Sequence, residues 1–100
     1  MIIGEVRGSV VSTSKSETLQ GLKLLVVMPL DTETLKEKGS PLVAIDAVGA
    51  GEGEVVLCVT GSSSRQTAFT DGKPVDLAII AIIDSIDIRG KRVFEKYEEK

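Results

Sequence analysis

The sequence contains no tryptophan and no histidine, one cysteine, and only three aromatic residues, Phe69, Phe94 and Tyr97, in 100 residues. With a single cysteine there is no intramolecular disulfide and no paired-thiol metal site. Cys58 lies inside the apolar run Val55 to Val59 and reads as a small buried hydrophobe. A nucleophilic thiol wants a neighbouring base, and no histidine exists to supply one. The scarcity of aromatics argues against stacking platforms for bases or sugars. A basic excess is also missing: the net charge is -3 and the pI about 4.9, which gives no electrostatic reason to approach phosphate backbones or anionic membranes. Long hydrophobic runs are absent, since Leu24 to Leu30 and Leu77 to Ile83 fall far short of the ~20 residues of a spanning helix. The start, Met1 to Arg7, lacks the pattern of a secretory signal. A cytoplasmic chain with no nucleic-acid or membrane partner is the expectation.

What is present is Val, Ile, Leu and Ala in a chain that is 42% hydrophobic, a bias toward strands. One hundred residues suit one domain, 1–100, yet so short a chain buries only roughly two-thirds of its unfolded surface, and self-association would add to that. Ile3 to Val11 alternates, with Glu5, Arg7 and Ser9 on one face and Gly4, Val6, Gly8 and Val10 on the inward one. Inward glycines permit the bends that close a small barrel. Further strands are expected over Leu22 to Leu30, Pro41 to Val48, Glu54 to Thr60 and Val75 to Asp84, each bounded by glycine, proline or small polar residues. Ser12 to Gln20 reads as a solvated loop. Asp31 to Gly39 fits a single helical turn capped by Asp31 or a hairpin loop, and the loop is preferred. A serine in Gly61 to Thr67 is placed to start a short helical turn, and Asp71-Gly72 to reverse the chain. Residues 85–100 read as a C-terminal extension: Ile86, Ile88, Val93 and Phe94 around Gly90 make either a small hairpin or a face for a neighbour, and Glu95 to Lys100 reads as a solvated tail. Five strands with turns between them give an all-β barrel.

The glycine cluster Gly49-Ala50-Gly51-Glu52-Gly53-Glu54 raises a phosphate loop and then excludes it. It has no Gly-Lys-Ser/Thr ending, Glu54 stands where a dinucleotide loop needs its third glycine, and a strand follows where a helix is required. The carboxylates Asp46, Glu52, Glu54, Asp71, Asp76 and Asp84 supply no identifiable acid and base pair and read as turn formers and surface charges. Without histidine or a second cysteine, metal binding would rest on oxygen ligands in no recognisable loop pattern. No catalytic residue, metal or cofactor is expected. The alternative is that the barrel is an OB-like binding module for oligonucleotide or a small ligand, a role such barrels often have.

Over nearly its whole length the sequence resembles the EutN/CcmL family. The matching stretches are Met1 to Val6, Leu19 to Val27, Pro29 to Asp31 and Val43 to Asp46. The most specific are Val48 to Leu57, Gly61-Ser62-Ser63-Ser64-Arg65, and Pro74-Val75-Asp76 leading into Ala78 to Asp84. The resemblance implies a five-stranded OB-like β-barrel with a short helical turn, assembling as a cyclic homopentamer that caps the vertices of a bacterial microcompartment shell beside hexameric shell proteins. Glycines give close-packed copies around an axis a backbone without bulky side chains. Gly49, Gly51, Glu52, Gly53, Glu54, Ser62, Ser63, Ser64 and Arg65 are then the candidates for the subunit contact or central opening, with Arg65 bridging to a carboxylate such as Glu52 or Glu54. Glu52 or Ser64 would set the polarity of an opening that admits small solutes. Two departures stand out, Ser64 where the family commonly has Ala, and Ala81 where Gly is frequent.

Overall fold

A computed structural model describes residues 1–11, 23–60 and 77–96. Five strands close into a barrel: β1 (Ile2–Val10), β2 (Leu24–Pro29), β3 (Leu42–Asp46), β4 (Val55–Thr60) and β5 (Leu77–Ile82). Around the barrel the order is β1-β2-β3-β5-β4, closed by the pairing of β4 with β1. Every neighbouring pair is antiparallel except β3 with β5, where Ile45 faces Ala78 and Asp46 faces Ile79. Two further strands, β6 (Ser85–Ile88) and β7 (Lys91–Glu95), form a separate antiparallel hairpin.

The core is what the alternation places inside: Val6, Leu25, Val27, Ala44, Val56, Cys58, Leu77 and Ile79 are all buried, with Ile2 and Ile82 packed against them. Fully burying an aliphatic side chain of this size is worth about 1.5–3 kcal/mol, so the barrel interior dominates the stability. Ala50, which belongs to the loop between β3 and β4, joins this cluster at 1% exposure and seats that loop on the barrel.

Strand β1 follows its expected alternation only to Val6. The register jumps from Val6 opposite Val27 to Gly8 opposite Val26, so Arg7 is an extra, bulged residue and the inward phase ends there. Gly4 is buried as expected, whereas Gly8 has open space where a Cβ would stand. Val11, expected as the last strand residue, lies beyond β1 and is 96% exposed. Between β2 and β3, Asp31 caps a single turn: its Oδ1 accepts from the Glu33 and Thr34 amides at 2.9 Å each, and its carbonyl accepts from Leu35 N at 2.8 Å. Leu35 then adopts φ 61, which ends the turn before a helix forms. Leu30 pairs with Glu37 and Lys38 N donates to Pro29 O, so the segment is a folded loop. The helical turn expected in 61–67, the reversal at Asp71-Gly72 and the polar loop of 12–20 lie outside the described residues.

Of the two arrangements open to residues 85–100, the hairpin is formed over 85–95. Glu95 and Lys96, expected in a solvated tail, are engaged instead. Glu95 lies in β7 and pairs with Arg92, and Lys96 N closes the hairpin base on Asp84 O at 2.9 Å.

Candidate functional site

The glycine cluster forms a loop held from both ends by carboxylates. At its start, Asp46 is the last residue of β3, with a side chain only 1% exposed. Its Oδ1 accepts from the backbone amides of Val48 and Gly49 at 3.0 Å and of Ala50 at 3.2 Å. Its Oδ2 receives no hydrogen bond among the described residues but lies 3.5 Å from Lys23 Nζ. Lys23 also donates to Ala50 O at 3.3 Å, so one lysine and one aspartate staple the first half of the loop. This corrects the reading of Asp46 as a surface charge: it is a turn former, but a buried one.

The second half is closed by Glu54. Its Oε1 accepts from Gly51 N at 2.6 Å and its Oε2 lies 2.8 Å from Lys96 Nζ. Backbone bonds add to this closure, with Gly53 N on Val6 O at 2.8 Å and Val6 N on Glu54 O at 2.9 Å. Gly49 at φ +79 and Gly53 at φ +89 occupy the left-handed region, so the loop needs them for its own conformation. Gly51 has no such requirement, and a Cβ there would sit 3.4 Å from Glu54 Oε1, an ordinary contact.

The bond from Lys96, then the amide of Gly51, holds the Glu54 carboxyl below the usual glutamate range. A depressed folded-state pKa contributes stability above the unfolded value and loses it as pH falls through the folded one. Acidification below about pH 4 should therefore release Lys96 and the hairpin base from the loop before the barrel responds. Glu54→Gln should reproduce that release at neutral pH. Amide exchange at Gly51 and Lys96 is the readout, and unchanged protection in the glutamine variant would refute the coupling.

Glu52 projects from the same loop, exposed and in no ion pair among the described residues. Ser62, Ser63, Ser64 and Arg65 lie outside the described residues. The structure thus brings Gly49, Gly51, Glu52, Gly53 and Glu54 together. It adds Asp46, which the sequence reads only as a turn former or surface charge, Ala50, which it reads only as part of the glycine cluster, and Lys23 and Lys96, to which it gives no role in the site. The turn at Asp46 is legible, because an aspartate side chain readily accepts from backbone amides two residues on, whereas its burial is not, and nothing local marks Lys23 or Lys96. Cys58 is fully buried, and burial pushes its thiol up to about 11, so it is a packing residue.

Residues 1–84 match the family model described as "Ethanolamine utilisation protein EutN/carboxysome". The bacterial microcompartment shell vertex protein GrpN of Rhodospirillum rubrum is 49% identical over 87 residues, covering 87% of this chain and 97% of its own length. The carboxysome shell vertex protein CcmL of Synechococcus elongatus is 46% identical over 102 residues, covering 98% of each. Among solved structures, CcmL of Gloeobacter violaceus superposes with a TM-score of 0.91 at 39% identity, covering 98% of this chain and 100% of that one. The GrpN pentameric microcompartment shell protein superposes with a TM-score of 0.78 at 45% identity, covering 88% and 99%.

Proposed function

The chain belongs to the EutN/CcmL family, and on that premise we propose that it is a structural shell protein whose pentamers cap the vertices of a bacterial microcompartment in the cytoplasm. The observation on this chain that carries the reading is where the apolar surface lies. The outer face of β1 is polar, with Arg7 paired to Glu5 at 2.6 Å and to Glu37 at 2.8 Å. Leu42 and Val43 on β3 are 41% and 52% exposed, and Val48 at the start of the glycine loop is 39% exposed. Met1 and Val11, flanking β1, are 83% and 96% exposed, so apolar surface lies at both ends of β1 as well as on β3 and the loop that follows, and a ring of identical subunits would cover such surface. The OB-like ligand-binding alternative receives no support from the relatives, which are shell proteins.

Within the ring, the subunit contact is assigned to the glycine loop, Gly49, Gly51, Glu52, Gly53 and Glu54, together with Ser62, Ser63, Ser64 and Arg65. Residues 1–100 make one vertex domain with 85–100 as its extension. The protein works by fit, without catalysis, and its further partners are the hexameric proteins of the shell facets.

Native mass spectrometry across a dilution series tests the assignment: a five-chain species that persists is expected, and a monomer at every concentration would overturn it. Gly51→Trp should abolish that species while circular dichroism still reports a folded barrel, because φ at Gly51 is ordinary and the loop closes through Asp46 and Glu54. An unchanged assembly mass in this variant would remove Gly51 from the contact.

A further inference from the structure

The hairpin β6–β7 has two unlike faces. Arg92 lies opposite Asp87 and pairs with both Asp87 and Glu95, so one face is polar and satisfied within the hairpin. On the other face Ile86 lies opposite Phe94 and Ile88 opposite Lys91, an apolar strip that ends in a cation. The hairpin packs chiefly on itself, and a cleft bordered by Leu35, Glu54, Val93 and Phe94 lies between its base and the barrel, bridged by the Lys96–Glu54 ion pair. Ile86, Ile88 and Phe94 are each half-buried, and because a lone two-stranded hairpin is marginal in water, the remaining half of this strip calls for a cover.

The turn adds a second observation. Arg89 at φ 53 and Gly90 at φ 78 make a two-residue type I′ turn, in which the first position favours Asn, Asp or Gly. An arginine kept in the left-handed region at an exposed tip points to a use for its guanidinium. Arg89 and Lys91 enter no ion pair among the described residues, whereas Arg92 and Lys96 do. Residues 85–96 hold four basic and two acidic side chains, against seven basic and eleven acidic in residues 1–84. The chain thus carries a basic arm on an acidic barrel.

We infer that the hairpin is a clasp between ring neighbours: its apolar strip and its Arg89–Lys91 tip seat on the barrel of a second copy of this chain. The inference rests on the ring assigned above. The neighbour supplies both complements, a barrel with more acidic than basic groups and exposed apolar residues at Leu42 and Val43. The clasp adds to ring closure and does not create it. The pentameric GrpN structure is matched over 99% of its length by 88% of this chain, and the family pattern ends at residue 84, before the hairpin begins.

The double variant Arg89→Gly/Lys91→Ser separates the clasp from folding, because glycine relaxes the turn while the tip loses its charge. Full-length wild type and variant would be compared by native mass spectrometry in a dilution series at low ionic strength in sub-denaturing urea. The concentration at which the five-chain species is half dissociated should rise about tenfold in the variant, and the gap should narrow as salt is added. Amide exchange should find the hairpin at least as protected in the variant monomer, and Lys91→Ser alone should give a smaller shift of the same sign. Coincident dissociation curves would overturn the clasp while leaving the ring intact. A wild type that never forms the ring would overturn both. An unaffected ring that no longer co-assembles with hexameric shell proteins would assign the tip to that partner and equally overturn the clasp.

Discussion

Gly4→Ala should lower the stability of the folded chain by about 3 kcal/mol, at the upper end of what one added methyl costs in a well-packed interior. A Cβ at Gly4 would stand 2.4 Å from Val27 Cγ1 and 2.9 Å from Met28 O. Neither neighbour has room to give. Val27 is fully buried in the barrel core, and Met28 O is backbone in β2, where the register aligns Gly4 with Pro29. Gly4 also faces Val56 on β4, so β1 is fixed on both sides at the point where the barrel closes. The measurement is the urea midpoint at fixed protein concentration, since assembly adds to the apparent stability of the subunit. Gly8→Ala is the control, because a Cβ at Gly8 meets nothing within 4 Å. Equal midpoints for the two variants would contradict a steric role for Gly4.

The contrast between these glycines marks how far the sequence could be read. Apolar runs bounded by glycine, proline and small polar residues locate the other four barrel strands, and period-two alternation locates β1 and its inward positions up to Val6, where Gly4 and Val6 are small or aliphatic and Glu5 between them is polar. It could not reveal the bulge at Arg7, where an extra residue is absorbed by pairing with β2 and the chain itself looks unchanged. Strand ends were overrun for a related reason. Ala47 and Val48 look like more strand, but the Asp46 carboxylate captures the amides of Val48, Gly49 and Ala50 and turns the chain away from β5. The glycine loop was visible as a cluster, and family resemblance, not spacing, gave it a purpose between subunits. Its intrachain needs were hidden, since Lys23 and Lys96 reach it from 27 and 42 residues away from Ala50 and Glu54. Such pairings belong to the folded barrel and leave no local pattern.

Asp46→Ala is expected to have a comparable effect on the subunit and a larger one on the loop. Three amides lose their acceptor, and the one on Ala50 is buried, so its desolvation is no longer compensated. Removing one partner of a buried pair ordinarily costs about 3–5 kcal/mol. Here Lys23 is 57% exposed and can return to water, which places the loss near the bottom of that range, about 3 kcal/mol. Asp46→Asn keeps an oxygen where Oδ1 stands but gives up the charge beside Lys23, and about 1 kcal/mol is expected. The two variants therefore divide the contribution of Asp46 into acceptor geometry and charge. Urea unfolding at fixed protein concentration measures both, and an asparagine variant as damaged as the alanine one would make the ion pair with Lys23 the dominant part. Because Ala50 is seated in the barrel core and held by Asp46, the alanine variant should weaken ring and subunit together. Gly51→Trp should weaken the ring alone. That difference separates the residues that shape the loop from the one that presents it to a neighbour.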